Sequence, residues 1–125
     1  MKIAMDANAL MMPVEAGVRV FDELDRLLGD YECVVPETVR AELSKLAAAG
    51  GEEGRAASVG LDLLAECDVV ETTESYADDA LYRLATDGEV ETVVTNDAPL
   101  RKRLLAAGVP VIHLRGRNQL TRTQP

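Results

Sequence analysis

Short runs rich in β-branched residues, Lys2–Met5, Cys33–Val35, Val69–Glu71, Thr92–Thr95 and Val109–Leu114, alternate with longer segments whose apolar residues recur at three- and four-residue steps. Strands that alternate with helices, joined by connections long enough for right-handed crossovers, assemble into a parallel sheet between helix layers. The pattern predicts a three-layer α/β/α sandwich around a central parallel sheet of about five strands. Between the first two runs, Val14, Val18, Phe21, Leu24, Leu27 and Leu28 keep one helical period up to Gly29. Pro36 opens a second helix, with Val39, Leu43 and Leu46 on one face, before a loop over 50–54. A third helix is expected from Arg55 to Glu66, and a fourth from Tyr76, where Ser75-Tyr76-Ala77-Asp78 has capping-box-like spacing. The last runs from Ala98 to a stop at Gly108, with Asp97 at its N-cap position.

A chain of 125 residues has room for one core, here residues 1–115, followed by a polar, basic and loosely held tail over 116–125. Trp is absent and aromatics make up 3%, so the core is aliphatic and an aromatic platform for stacking bases is not expected. Cys33 and Cys67 lie in no Cys-x-x-Cys or Cys/His cluster, which excludes zinc-finger and thioredoxin-like readings and leaves two buried thiols. Apolar stretches such as Ala9–Val14 are too short to cross a bilayer. With no signal peptide in view, the expectation is a cytoplasmic protein without a membrane partner.

Net charge is −9, and only Lys2, Lys45 and Lys102 among the bases are lysines, a balance that suits high salt and a halophilic source. The distribution says more than the total. No acid follows Asp97, so Arg101, Lys102, Arg103, Arg115, Arg117 and Arg122 give the last 28 residues +6, while the first 97 carry −15. Such a chain can accept a polyanion along its C-terminal segment while repelling it elsewhere.

In an open parallel sheet, ligands bind at the carboxyl ends of the strands. Those ends are acidic here: Asp6-Ala7-Asn8 after the first strand, Glu42 on the helix after the second, Asp78-Asp79 opening the helix after the third, and Thr95-Asn96-Asp97 after the fourth. Two carboxylates about 4 Å apart repel by roughly 4 kcal/mol at an effective dielectric near 20, so a cluster calls for a counter-charge. Oxygen-only donors without nearby His or Cys suit Mg²⁺ or Mn²⁺. Each acid also has a local explanation. Asp97 can cap a helix, Asp78 can complement a helix dipole, and Glu42 can pair with Lys45. Asp79 is less well explained by capping. Asp6 resists a local explanation most, because it follows a strand that should be central and buried.

Asp-x-Asn closing the first strand, Pro-Glu-Thr-Val-Arg-Ala-Glu-Leu after the second, Ala-Asp-Asp-Ala-Leu opening a later helix, and Val-Val-Thr-Asn-Asp-Ala-Pro-Leu-Arg-Lys-Arg-Leu before a final Gly-Val-Pro-Val-Ile resemble a PIN domain, from Lys2 to Arg115. Within that family the chain is most similar to the archaeal branch that resembles ribosomal-RNA-processing proteins, with VapC-type toxins as relatives. The resemblance implies a metal-dependent ribonuclease, with Asp6, Glu42, Asp79 and Asp97 as the catalytic acids. Asp6, Asp79 and Asp97 would hold one or two Mg²⁺ or Mn²⁺ ions that activate water for attack on phosphorus. It gives supporting roles to Asn8, Thr95 and Asp78, the last as substitute or auxiliary. Arg101, Lys102, Arg103, Arg115 and Arg117 follow the last acid and are expected to contact RNA phosphates. His113, inside the last strand, is read as structural. The chain departs from the family at Ala7, where Ser or Thr is common.

The resemblance also implies partners: an RNA substrate such as ribosomal or transfer RNA, a second copy of the chain, and an antitoxin or a ribosome-assembly protein. The alternative to an enzyme is a PIN fold kept as an RNA- or protein-binding module with little nuclease activity, which Ala7 favours and the full set of acids opposes. A response-regulator receiver would need an acidic pair after the first strand, an Asp after the third and a Lys after the fifth. A haloacid-dehalogenase-type phosphatase would need Asp-x-Asp in place of Asp6-Ala7-Asn8. Neither pattern is met.

Overall fold

The computed structural model describes residues 1–125. Its strands are Lys2–Met5 (β1), Glu32–Pro36 (β2), Asp68–Val70 (β3), Thr92–Val94 (β4), Val111–Arg115 (β5) and Gln119–Thr123 (β6). Its helices are Ala7–Glu15 (α1), Val20–Leu28 (α2), Glu37–Ala49 (α3), Gly51–Leu63 (α4), Ala77–Thr86 (α5) and Ala98–Ala106 (α6), with a short 3-10 turn at Leu64–Glu66. The strands form one sheet in the order β3-β2-β1-β4-β5-β6, parallel throughout except for β6, which runs antiparallel to β5. The expected α/β/α sandwich is therefore present, with a sixth strand added at one edge.

The chain winds outward from β1 through β2 to β3, then returns past β1 to β4 and β5. Right-handed crossovers then put α1 to α4 on one face and α5 and α6 on the other. Helix packing follows that division, since α4 packs on α1 and α3, and α5 on α6. The reversal falls between β1 and β4, so the crevice outside their carboxyl ends is the ligand position this topology offers. Ile3, Ala4 and Met5 of β1, Val35 of β2 and Val93 and Val94 of β4 are fully buried, as expected for strands covered on both faces.

Three local expectations are corrected. The helical period from Val14 to Leu28 spans two helices, because Pro13 removes an amide donor near the end of α1 and Gly17, at φ +65°, turns the chain before α2. The segment 51–54 is helical, and Gly60 further along α4 lets that helix approach α1, since a Cβ there would meet the Leu10 carbonyl oxygen at 3.2 Å. The residues after Leu114 are not loosely held. They turn at 116–118 and return as β6, burying Leu120 to 1% exposure.

That edge strand is clamped from α2. Glu23 Oε1 accepts from the Leu120 amide at 2.9 Å, and Arg26 Nη2 donates to the Leu120 carbonyl at 2.9 Å while also pairing with Glu23. Edge groups that would otherwise invite another strand are thereby occupied. His113 adds a second tie, its Nδ1 donating to the Leu114 carbonyl and its Nε2 accepting from the Thr123 hydroxyl at 2.6 Å. The structural reading of His113 agrees with this. Cys33 and Cys67 are not free thiols but form a disulfide between β2 and the segment entering β3. No helix is long and apolar enough to cross a membrane.

Leu120→Ala is expected to lower unfolding free energy by about 2–5 kcal/mol in urea titrations. A loss below about 0.5 kcal/mol would show that β6 does not dock. The disulfide closes 34 residues of sequence separation, so reduction should cost roughly 3–4 kcal/mol. Thiol titration of the unreduced, unfolded protein should find no free thiols.

Candidate active site

Asp6 is the residue from which the edge is built. It follows β1 directly, is 5% exposed, and serves as the N-cap of α1, with Oδ1 accepting from the Ala9 amide at 2.7 Å. Its second oxygen, Oδ2, accepts a short hydrogen bond from the Thr95 hydroxyl. The same hydroxyl accepts from the Asp97 amide at 3.1 Å, so one fully buried Thr side chain links the acid after β1 to the acid after β4. Burial pushes the Asp6 carboxyl up to about 7, against the lowering effect of its two hydrogen bonds, with Asp78 and Asp97 adding repulsion.

Asp97 starts α6, but its side chain makes no capping hydrogen bond. The capping explanation that sequence offered for Asp97 therefore applies instead to Asp6. Asn96 fixes the turn between β4 and α6, its Oδ1 accepting from the Leu114 amide at 2.8 Å and its Nδ2 reaching the Met12 sulfur at 3.1 Å. Sequence reasoning passed over Asn96. An amide side chain in a strand-to-helix turn was the available signal, since such turns recruit side chains to satisfy backbone groups.

On the first turn of α5 the two adjacent acids part company. Asp78 lies close enough to Asp97 to share a proton, and Glu42 of α3 also repels it. Burial first, then Asp97 and Glu42, raise the Asp78 carboxyl above its ordinary value, and Arg103 partly offsets them. Asp79 instead pairs with Arg103 at 3.1 Å, with its side chain 48% exposed. The structure thus sets Asp78 near Asp97 and Glu42 beside Asp6, and occupies Asp79 with Arg103, although Asp78 is the more exposed of the two. Helical spacing does not separate the two: Asp78 stands three and seven residues before buried Leu81 and Ala85, yet Asp79 is the less exposed.

Glu42 is exposed and makes no ion pair with Lys45. Its near neighbour Arg40 is occupied by Glu37 at 2.8 Å and by Ser44. Asn8 is exposed on the first turn of α1, and Ala7 is buried. Asp6 takes a hydroxyl hydrogen bond from Thr95, directly after β4. The basic residues do not form one continuous track. Arg103 is held by Asp79 and lies 4.5 Å from the Tyr82 ring centroid, and Arg101 is half-buried on α6 beside exposed Lys102. Arg115 and Arg117 are exposed at the β5–β6 turn, on the carboxyl edge that carries the acids.

The donors are all carboxylate oxygens, the set a hard divalent cation takes. No three of them converge tightly enough to form a ready-made metal cage. The chemical fit therefore rests on uncompensated charge: Asp6 has no cation among the groups that set its titration, and Asp78 has only Arg103, already engaged by Asp79.

This chain belongs to the PIN-like domain family, whose sequence pattern it matches over residues 3–117. It is 29% identical over 118 residues to ribonuclease VapC4 of Methanocaldococcus jannaschii, covering 91% of this chain and 90% of that one. Its fold is similar to the PIN domain endonuclease Utp24, with a TM-score of 0.78 and 21% identity, over 98% of this chain and 92% of that one. It is also similar to a chain of VapBC2 from Rickettsia felis, solved bound to a fragment of promoter DNA, with a TM-score of 0.61 and 13% identity over 82% of this chain and 92% of that one.

Because folding raises the Asp6 pKa from 3.8 to about 7, the folded state holds its proton longer than the unfolded state. The stability contribution therefore falls as pH rises through that window. In a chelator, Asp6→Asn, which keeps a competent helix cap, should be more stable than wild type at pH 8 by on the order of 3 kcal/mol and indistinguishable or weaker at pH 4. Denaturant titrations at both pH values check this; equal curves at pH 8 would show that Asp6 is not strained by its charge.

Proposed function

We propose that this chain is a metal-dependent ribonuclease that hydrolyses RNA phosphodiester bonds at the edge formed by Asp6, Glu42, Asp78 and Asp97. The observation that carries the reading is the concentration of these acids, without matching cations, at the topological switch between β1 and β4. The names of the relatives, ribonuclease VapC4 and the endonuclease Utp24, support the same chemistry.

Asp6, Asp78 and Asp97 would hold Mg²⁺ or Mn²⁺, with Glu42 completing the set from α3. Such an ion supplies charge neutralisation at phosphate and a lowered pKa for water. The chain's own groups do the rest. Thr95 and the Ala9 amide hold Asp6 in one orientation, so its charge is presented without reorganisation. Asn96 holds the turn that carries Asp97. Arg115 and Arg117 offer phosphate contacts beside the acids, while Arg101 and Lys102 lie further along α6. Arg103 acts through Asp79, orienting the start of α5.

A ribosomal or transfer RNA substrate fits the first reading of this site, in which the protein works in RNA processing, with a ribosome-assembly protein or a second copy as partner. The identity to VapC4 over nine-tenths of both chains favours a second setting, a toxin held by a small antitoxin protein. The chemistry is the same in both.

RNA cleavage should require added Mn²⁺ or Mg²⁺ and stop in EDTA, measured across a salt series because salt weakens phosphate contacts. Asp78→Asn and Asp97→Asn should each lose on the order of 100-fold or more, and Asp79→Asn only a few-fold. Metal binding without cleavage of any structured or single-stranded RNA would overturn the enzyme reading in favour of a binding module. A larger loss from Asp79→Asn than from Asp78→Asn would return the metal-holding role to Asp79.

A further inference from the structure

We infer that Tyr76 is a base-stacking residue that holds one nucleotide of a single-stranded RNA beside the acidic edge, an inference that rests on the ribonuclease reading above. Tyr76 is 74% exposed, far more than any other large apolar side chain. Phe21, Tyr31 and Tyr82, the remaining aromatics, pack against the core. A single exposed ring is ordinary on a protein surface, so position decides. Tyr76 stands at the N-cap of α5, in extended backbone, two residues before Asp78. Two residues span at most about 7 Å, so ring and carboxylate share one edge of the sheet.

The residue type is wrong for its local duty. An N-cap favours Ser, Thr, Asp or Asn, and Tyr76 makes no side-chain capping bond. The surroundings select the ligand part. Of the acids next to Tyr76 in sequence, Glu74 is paired with Arg83 and Asp79 with Arg103, while Asp78 faces Asp97 and repels phosphate oxygens, a penalty the neutral face of a base does not meet. The phosphates then run toward Arg115 and Arg117 at the β5–β6 turn, across the acids. Only an unpaired nucleotide can offer its face, which makes the contact specific for single strands and tolerant of sequence. Composition argues against an aromatic platform, but one ring placed next to the site is enough to position one base.

The test uses the full chain with Asp97→Asn, so that the RNA stays intact, and a fluorescein-labelled single-stranded oligoribonucleotide. Adding Tyr76→Ala should weaken binding between about 5- and 100-fold, Tyr76→Phe should restore it, and affinity for a duplex of equal length should not change. Because the chain lacks Trp, tyrosine emission is directly readable. Unlabelled RNA should quench it, and most of that quenching should vanish with Tyr76→Ala. Unchanged affinity and quenching in Tyr76→Ala would overturn the inference while leaving the ribonuclease reading intact, and would redirect the ring to a protein partner. An equal loss on single strands and duplex would also overturn it. Failure of the Asp97→Asn chain and the wild type to bind or cleave any RNA would overturn the ribonuclease reading along with it.

Discussion

A carboxylate buried where a central strand meets a helix governs the rest of this molecule. Asp6 does two things that pull against each other. As the N-cap of α1 it satisfies the Ala9 amide and starts the helix that covers β1. As a charge removed from water it resists ionisation, which burial expresses as a carboxyl pushed up to about 7. The Thr95 hydroxyl reconciles the two, because it holds Asp6 with one bond and the amide of Asp97 with another. Two strands that are adjacent in the sheet but far apart in sequence are thereby joined at their carboxyl ends by polar groups. Strain is concentrated at the switch between β1 and β4, where a ligand can relieve it.

The remaining acids increase that strain. Asp97 leaves its capping duty undone, Asp78 faces Asp97 across the edge, and Glu42 approaches from α3. Nearby cations are diverted elsewhere: Arg40 to Glu37, and Arg103 to Asp79 and the Tyr82 ring. The arrangement keeps the edge negative and its geometry fixed. On the proposed function, a small, hard cation would offset this charge and, through it, hold phosphate, while the uncompensated acids cost stability. The lateral edge strand shows the contrasting use of charge. There Glu23 and Arg26 satisfy each other and the Leu120 backbone together, so the pair closes β6 instead of preparing a site.

Most of the fold was legible in sequence because strand-helix alternation is a strong signal and the crossovers have one hand. What escaped was set by tertiary context. The period from Val14 to Leu28 runs through two helices, because Val18 is buried without being helical, so periodicity alone could not see the break that Pro13 and Gly17 make. The segment 119–123 reads as a polar tail. Its single deep anchor, Leu120, depends on acceptors and donors supplied by α2 from 97 residues away. Cys33 and Cys67 carry no motif, and their pairing follows only from β2 and β3 being neighbours.

The acids were found by their positions at strand ends, and their roles were harder to read. Asp78 and Asp79 are chemically identical neighbours separated by one helical step, and only their tertiary partners, Asp97 for the first and Arg103 for the second, tell them apart. Motif spacing favours Asp79; proximity to Asp97 and Glu42 favours Asp78. Capping propensity likewise suggests a cap at Asp97 and none at Asp6, whereas the capping hydrogen bond is made by Asp6 and not by Asp97.

As the proposed metal site, this acidic edge stays strained until a divalent cation occupies it. The direct measurement is the thermal unfolding midpoint at pH 7.5 as Mn²⁺ is titrated at constant ionic strength, for wild type and for the Asp78→Asn/Asp97→Asn pair. Binding to the folded state alone stabilises by RT ln(1 + [Mn²⁺]/Kd), so the wild-type midpoint should climb steadily with the logarithm of Mn²⁺ concentration while that of the double variant stays flat. A wild-type midpoint that does not respond to Mn²⁺, or that rises equally in the double variant, would contradict the account.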